Sequence, residues 1–129
     1  MLGFHWIADL HRCDRATLTR ELVREALIEV PQLLGLSALG PPELSEHADM
    51  NDSSIAGVVL LRESHASCHA FPASGVVHLD VFCCRNVDFD PAARYAVAHF
   101  RAAAHESRVL ERGYTGSGRS LGGVVRRFR

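Results

Sequence analysis

The strictest pattern in this chain is an alternation of side chains over residues 76 to 84. One set is apolar throughout and comprises Val77, Leu79, Val81 and Cys83. The other set is mixed and comprises Val76, His78, Asp80, Phe82 and Cys84. Because successive side chains of a β-strand point to opposite faces, the segment predicts a strand whose two faces differ in chemistry.

Two further strands are predicted immediately before this one. Residues 55 to 61 form a continuous apolar run, which is typical of a strand buried on both faces. Residues 65 to 71 continue as a strand, and Pro72 to Gly75 form a turn into the alternating segment. We therefore expect a meander of strands in which Ser64, His69 and Cys84 converge.

The flanking segments predict one more strand and two helices. Residues 3 to 11 alternate as a strand, and Asp14 offers an N-cap to an amphipathic helix that ends at Pro31. Residues 43 to 54 are polar and irregular and predict a surface loop. Asp90 and Pro91 begin a second helix that extends to about residue 106, and a last strand follows from residue 109. The expected fold is α+β, a two-layer α/β sandwich with a mainly antiparallel sheet and helices on one face.

Length and charge restrict the class of protein. A chain of 129 residues is enough for a single domain, 1–129, and a formal net charge of −1 provides no general attraction to nucleic acid or to anionic membranes. The longest apolar run, about seven residues, is far shorter than the roughly 20 that a membrane helix needs. The N-terminal residues lack the features of a signal peptide, so we expect a cytoplasmic protein whose four cysteines are free thiols.

Reactive side chains are concentrated near the middle of the chain. Ser64 stands between Glu63 and His65, and His69 follows five residues later. A serine with a neighbouring base is the minimum for nucleophilic attack, although the G-x-S-x-G motif of α/β-hydrolases is absent. Taken one at a time, these residues are more often engaged in ordinary hydrogen bonding than in catalysis.

A zinc site is a further alternative. Its candidate ligands are His65, Cys68, His69, His78, Cys83 and Cys84. No C-x-x-C pair is present, and adjacent strand residues point to opposite faces, so we expect no metal.

The central segment resembles the bacterial and archaeal S-adenosylmethionine decarboxylase proenzymes. The motif in that family reads, in outline, E-S-H-x-x-x-H-x-x-P-x-x-G, followed by a strand that ends D-x-F-x-C. Here it corresponds to the motif residues Glu63, Ser64, His65, His69, Pro72, Gly75, Asp80, Phe82 and Cys84. The spacing matches without a gap from Gly57 to Cys84, and weaker similarities extend over most of the chain.

The resemblance implies a self-processing, pyruvoyl-dependent decarboxylase of polyamine biosynthesis, with the fold of that family. Ser64 would attack the Glu63 carbonyl, and β-elimination assisted by His69 would yield a β-chain, 1–63, and an α-chain, 64–129. The pyruvoyl group formed from Ser64 would bind the substrate amine as a Schiff base, and Cys84 would return a proton as general acid. The family also implies a small-molecule substrate, no metal, and a homodimer with the site near the subunit interface.

Two departures from the family concern the substrate. A glutamate that holds the ribose corresponds to Ala73, and the aromatic residue that stacks on adenine corresponds to about Met50. The same segment carries Asp49 and Asp52, whose carboxylates suit a basic side chain, so we expect substrate contacts from Asp49, Met50, Asp52 and Glu63. These changes favour L-arginine or L-ornithine as substrate. The alternative is S-adenosylmethionine itself, the substrate for spermidine biosynthesis.

Two further departures concern processing. A serine that aids self-cleavage in the family corresponds to Ala56, with Ser53 and Ser54 as possible substitutes, and a usual glycine corresponds to Arg85. They leave open a second class of function, a regulatory relative that is not processed and only binds its paralogue.

Overall fold

The computed structural model describes residues 2–48 and 53–113, and the backbone of residues 125–128. Within these residues, seven strands form one sheet in the order β2-β3-β4-β5-β1-β6-β7, with every neighbouring pair antiparallel. The strands are β1 (Leu2–His11), β2 (Glu43–Ala48), β3 (Ser53–Leu61), β4 (Ser64–Phe71), β5 (Val76–Cys83), β6 (Ala104–Gly113) and β7 (Val125–Phe128). The helices are α1 (Arg20–Leu33) and α2 (Asp90–His99), and a short 3-10 helix spans Arg15–Thr17.

The core lies between one face of the sheet and the two helices. The predicted apolar face of β5 is fully buried there, and so is Trp6 of β1, which stacks on Phe89. Helix α1 contributes Val23 and Leu27 to the same cluster. The expected α+β fold with helices on one face is confirmed.

Within residues 2–48 and 53–113, no helix packs on the opposite face of the sheet. Val58 and Leu60 of β3 therefore keep 41% and 65% of their surface exposed, and the prediction that this strand is buried on both faces is wrong for the single chain. The reason is that α1 and α2 both pack on the other face of the sheet, where Ile55, Val59 and Leu61 are buried.

Helix α1 differs from its prediction at both ends. Asp14 caps the 3-10 helix, whereas Thr19 caps α1 by accepting a hydrogen bond from the Leu22 amide. Pro31 does not end the helix but lies within its last turn. The end is set instead by Gly35, whose φ of 68° is left-handed and whose amide bonds to the Gln32 carbonyl.

Other boundaries also changed. Residues 43 to 48, predicted as part of a polar loop, form the edge strand β2, because their backbone pairs with β3 although most of their side chains are exposed. Helix α2 ends at His99, not near residue 106, and β6 begins at Ala104. Asp90 is the first residue of α2, preceded by Phe89 at the cap position. No helix in the part of the chain described is long and apolar enough to cross a membrane.

Candidate active site

The Glu63–Ser64 peptide bond lies in the turn between β3 and β4. Leu61 pairs with Ser64 across this hairpin, so Arg62 and Glu63 are its two connecting residues. Glu63 has a φ of 58°, in the left-handed region that residues with a side chain rarely adopt. The predicted cleavage point is thus an exposed turn in a strained backbone conformation, a feature that is frequent at functional sites.

Cys84 follows the end of β5 and reaches this turn. Its Sγ donates a hydrogen bond to the carbonyl oxygen of Glu63 over 3.5 Å. Because β4 and β5 are paired with His65 opposite Phe82, the start of β4 and the end of β5 lie at the same edge of the sheet. The predicted convergence of Ser64 and Cys84 therefore follows from the register of the two strands.

A pocket of about 340 Å³ opens beside this pair. Its walls are formed by the β3–β4 turn, the end of β5 and the segment after α1. It is lined by Gly35, Leu36, Ser37, Arg62, Glu63, Ser64, Cys84 and Arg85. The pocket brings together a hydroxyl, a thiol, a carboxylate and two guanidinium groups, a set that can bind and protonate a small polar substrate.

The segment after α1 was not among the predicted site residues. It is tied to the site by two hydrogen bonds: the Arg62 amide donates to the Ser37 carbonyl at 3.0 Å, and Arg85 Nη2 donates to the Gly35 carbonyl. The prediction that Pro31 ends the helix missed Gly35 as a signal for the helix end, and the contact itself depends on how α1 packs against the sheet.

His69 does not converge with Ser64 in the single chain, contrary to the prediction. It lies five residues further along β4, a distance of roughly 16 Å in a strand, and on the opposite face. The prediction overlooked that an odd separation in a strand reverses the face. His69 instead pairs with Ala56 across β3 and β4 and borders a second pocket of about 500 Å³ on the face without helices.

That open face carries a polar network that the sequence did not reveal. His5 Nε2 donates to Asp80 Oδ2 at 2.7 Å, and Ser67 donates to the other carboxylate oxygen. Burial acts to raise the pKa of Asp80, but the bonds from His5 and Ser67, with the charges of His5 and His65, outweigh it and lower that pKa. Asp80 is therefore held as a carboxylate within a histidine-rich surface.

The remaining cysteines face the core. Cys68 is fully buried, and burial, assisted by the charge of Asp80, raises its pKa to about 12. Burial also raises the pKa of Cys83, whose Sγ donates to the Arg85 carbonyl at 3.2 Å. His65, His69 and His78 project on the other face, so the sheet itself separates the candidate zinc ligands.

The predicted substrate contacts are only partly located. Glu63 lines the pocket beside Ser64, whereas Asp49, Met50 and Asp52 lie outside the described residues. Ala73 lies in the β4–β5 turn, at the far end of β4 and about 25 Å of strand from Ser64. Its side chain cannot contact a substrate at Ser64 of the same chain.

Comparison with known proteins relates most of the described region to one family. The model of the S-adenosylmethionine decarboxylase family matches residues 4–113. The S-adenosylmethionine decarboxylase proenzyme of Archaeoglobus fulgidus is 30% identical over 115 residues, covering 88% of this chain and 99% of the relative. That of Caldicellulosiruptor saccharolyticus is 32% identical over 114 residues, covering 87% and 89%. The crystal structure of the adenosylmethionine decarboxylase from Aquifex aeolicus superposes with a TM-score of 0.74 at 27% identity, covering 88% of this chain and 92% of that one.

Proposed function

Because this chain belongs to the S-adenosylmethionine decarboxylase family, we propose that it is a pyruvoyl-dependent decarboxylase that cleaves itself between Glu63 and Ser64. The observation that carries the proposal is the Glu63 carbonyl, which lies in a strained turn and accepts a hydrogen bond from Cys84. The carbonyl under attack, the attacking hydroxyl and the proton donor are then within one pocket.

Self-cleavage requires three changes of bonding at this turn. The Ser64 hydroxyl adds to the Glu63 carbonyl, and the peptide nitrogen leaves, so that an ester replaces the amide. Loss of the Ser64 α-proton then expels the Glu63 carboxylate as the new C-terminus of the β-chain. Water replaces the nitrogen at position 64, which leaves as ammonia. The hydrogen bond from Cys84 polarises the carbonyl in the first of these changes.

The pyruvoyl group supplies an electron sink for decarboxylation of an α-amino acid. It would sit at position 64, at the start of β4. The side chains around it fit that chemistry: Cys84 is half-buried beside it, and its thiol is a suitable donor for returning a proton to the product carbon. The pocket is also lined by side chains of both charge signs, which are Glu63, Arg62 and Arg85.

His69 retains a role in processing only if it comes from a second chain. It lies with Ala56, the position of the family's assisting serine, on the open face and away from Ser64 of its own chain. That face also exposes apolar side chains, Val58 and Leu60. We therefore propose a homodimer in which this face of one chain contacts the Ser64 turn of the other.

For the substrate, the relatives favour S-adenosylmethionine over the basic amino acids that the sequence departures suggested. The curated relatives compared above are S-adenosylmethionine decarboxylase proenzymes by name. We propose S-adenosylmethionine as the substrate, with L-arginine and L-ornithine as the competing candidates.

Self-cleavage is tested on a denaturing gel with intact mass measurement. Wild type should show two chains, 1–63 and 64–129, the second beginning with a pyruvoyl group, and Ser64→Ala should remain uncut. A wild-type protein that stays whole under all conditions would refute the enzyme and support the regulatory relative.

The proposed action of His69 on the Ser64 turn of the other chain is tested by co-expressing two differently tagged variants. Ser64→Ala retains His69, and His69→Ala retains Ser64. If His69 acts across the interface, the His69→Ala chain is cleaved when paired with Ser64→Ala but not alone. Absence of cleavage in a confirmed mixed dimer would show that His69 takes no part in processing the other chain.

The substrate is tested by release of labelled carbon dioxide from S-adenosylmethionine, L-arginine and L-ornithine in parallel. We expect release from S-adenosylmethionine. Release from arginine or ornithine alone would reverse the assignment while leaving the pyruvoyl chemistry intact.

A further inference from the structure

The structure assigns a positioning role to Arg85, a residue that lines the pocket but takes no part in the bond changes proposed above. We propose that its guanidinium ties the segment after α1 to the end of β5, and that this tie holds Cys84 against the Glu63 carbonyl. The inference rests on the proposed function for its catalytic consequence, but not for the tie itself.

The acceptor of the Arg85 hydrogen bond is the carbonyl of Gly35, the residue that ends α1. Gly35 is left-handed; its amide bonds to the Gln32 carbonyl, and the Leu36 amide bonds to the Pro31 carbonyl. These two bonds close the helix in a Schellman motif, which turns the chain away from the helix axis. The Gly35 carbonyl then points at the end of β5, where Arg85 Nη2 donates to it.

The donor side of the tie is continuous with the active site. Arg85 follows Cys84 directly, and its own carbonyl accepts the thiol hydrogen of Cys83 at 3.2 Å. Cys83 is fully buried in the core. Cys84 is thus held between an anchored neighbour on each side, and its Sγ is directed at the Glu63 carbonyl.

The same segment forms a wall of the pocket. Gly35, Leu36 and Ser37 line it opposite Ser64 and Cys84, and the Ser37 carbonyl also holds the Arg62 amide of the cleavage turn. Release of Arg85 would therefore loosen the wall and the proton donor together. A residue without a long donor side chain at position 85 could not reach the Gly35 carbonyl in this way.

The tie is tested first in the uncut Ser64→Ala protein, where no pyruvoyl group forms. Arg85→Met and Arg85→Lys are compared with Arg94→Met, a control that removes an exposed guanidinium paired with Asp90. Hydrogen exchange is followed for residues 34–40, and alkylation of Cys84 by iodoacetamide is followed to its alkaline plateau, where the rate reports access to the thiolate and not its pKa.

We expect Arg85→Met to raise both rates by about three- to tenfold, the scale of one exposed charge-assisted hydrogen bond. Arg85→Lys, which keeps a cationic donor, should restore part of the protection, and Arg94→Met should change neither rate. Unchanged exchange and alkylation in Arg85→Met would overturn the tie, as would an equal effect in Arg94→Met. If Arg85→Met does not fold, Arg85→Lys carries the test. Exchange and alkylation rates in Arg85→Lys equal to those of the Arg85 protein would then overturn the tie.

The catalytic consequence is measured in the self-cleaved proteins. Loss of positioning at Cys84 should lower kcat of Arg85→Met by about tenfold or more with little change in KM, with partial recovery in Arg85→Lys. A rise in KM alone would make Arg85 a substrate contact and overturn the positioning role. If wild type is neither cleaved nor active, the proposed function fails, whereas the exchange and alkylation results still decide the tie.

Discussion

The contact between α1 and β3 provides the sharpest test of the packing. Gly57 lies on the core face of β3, and a Cβ built there would meet Leu27 Cδ1 at 2.5 Å. That separation is far below van der Waals contact, and Val23 Cγ1 and Leu44 Cγ would each lie 3.4 Å from the same Cβ. Glycine at position 57 therefore lets the helix approach the sheet.

The magnitudes follow from these contacts. Leu27→Ala removes a fully buried side chain and should lower the free energy of unfolding by about 2–5 kcal/mol. Gly57→Ala overpacks the same place and should lower it by about 1–3 kcal/mol. In the double variant the new methyl group occupies space that Leu27 has vacated, so the combined loss should be smaller than the sum by about 1–2 kcal/mol.

The assay is urea unfolding in the uncut Ser64→Ala protein, followed by the fluorescence of Trp6, which is fully buried. Val109→Ala combined with Gly57→Ala is the matched control, because β6 lies four strands from β3 and the two changes should add within about 0.5 kcal/mol. Full additivity of Leu27→Ala and Gly57→Ala would refute the contact as the reason for the glycine.

Three further outcomes are expected. The pKa of Asp80 is lowered in the folded protein, so its carboxylate stabilises the fold above the ordinary aspartate value of 3.8 and loses this effect as pH falls through the lower folded value. The stability difference between wild type and Asp80→Asn should therefore shrink below about pH 4 in urea titrations, and a constant difference would contradict the bonds from His5 and Ser67. Thr19→Ala should lower the free energy of unfolding by about 1 kcal/mol, since it removes the cap of α1, and an unchanged urea midpoint would argue against that cap. Cys84→Ala should lower kcat for decarboxylation by about 10²- to 10⁴-fold once the chain is cleaved, and full activity would place the proton donor elsewhere.

The sequence predicted the elements whose patterns are local. The alternation of β5 correctly assigned its two faces, because the period of side chains in a strand depends only on the backbone. The spacing from Ser64 to Cys84 also pointed to a shared site, and antiparallel pairing of β4 with β5 brings these residues to one edge.

Features that depend on distant partners were not predictable in this way. The strand β2 is polar and nearly all exposed, so nothing in its composition marks it as part of the sheet; the backbone of β3 makes it a strand. Pro31 was expected to end α1, but the Schellman motif at Gly35 sets the end further on.

By itself the sequence predicted Ser64 and Cys84 as a reactive pair, and it determined the two-layer arrangement in which they lie. Only the tertiary structure decided which residues surround Ser64 and Cys84. His69 is excluded from the pocket of its own chain because it lies on the opposite face of β4. Arg85 is held at that pocket by a hydrogen bond to the carbonyl of Gly35, which is 50 residues away in sequence. The physical reason is that strand periodicity is a property of the local backbone, whereas the packing of a helix end against a sheet edge is set by contacts between distant parts of the chain.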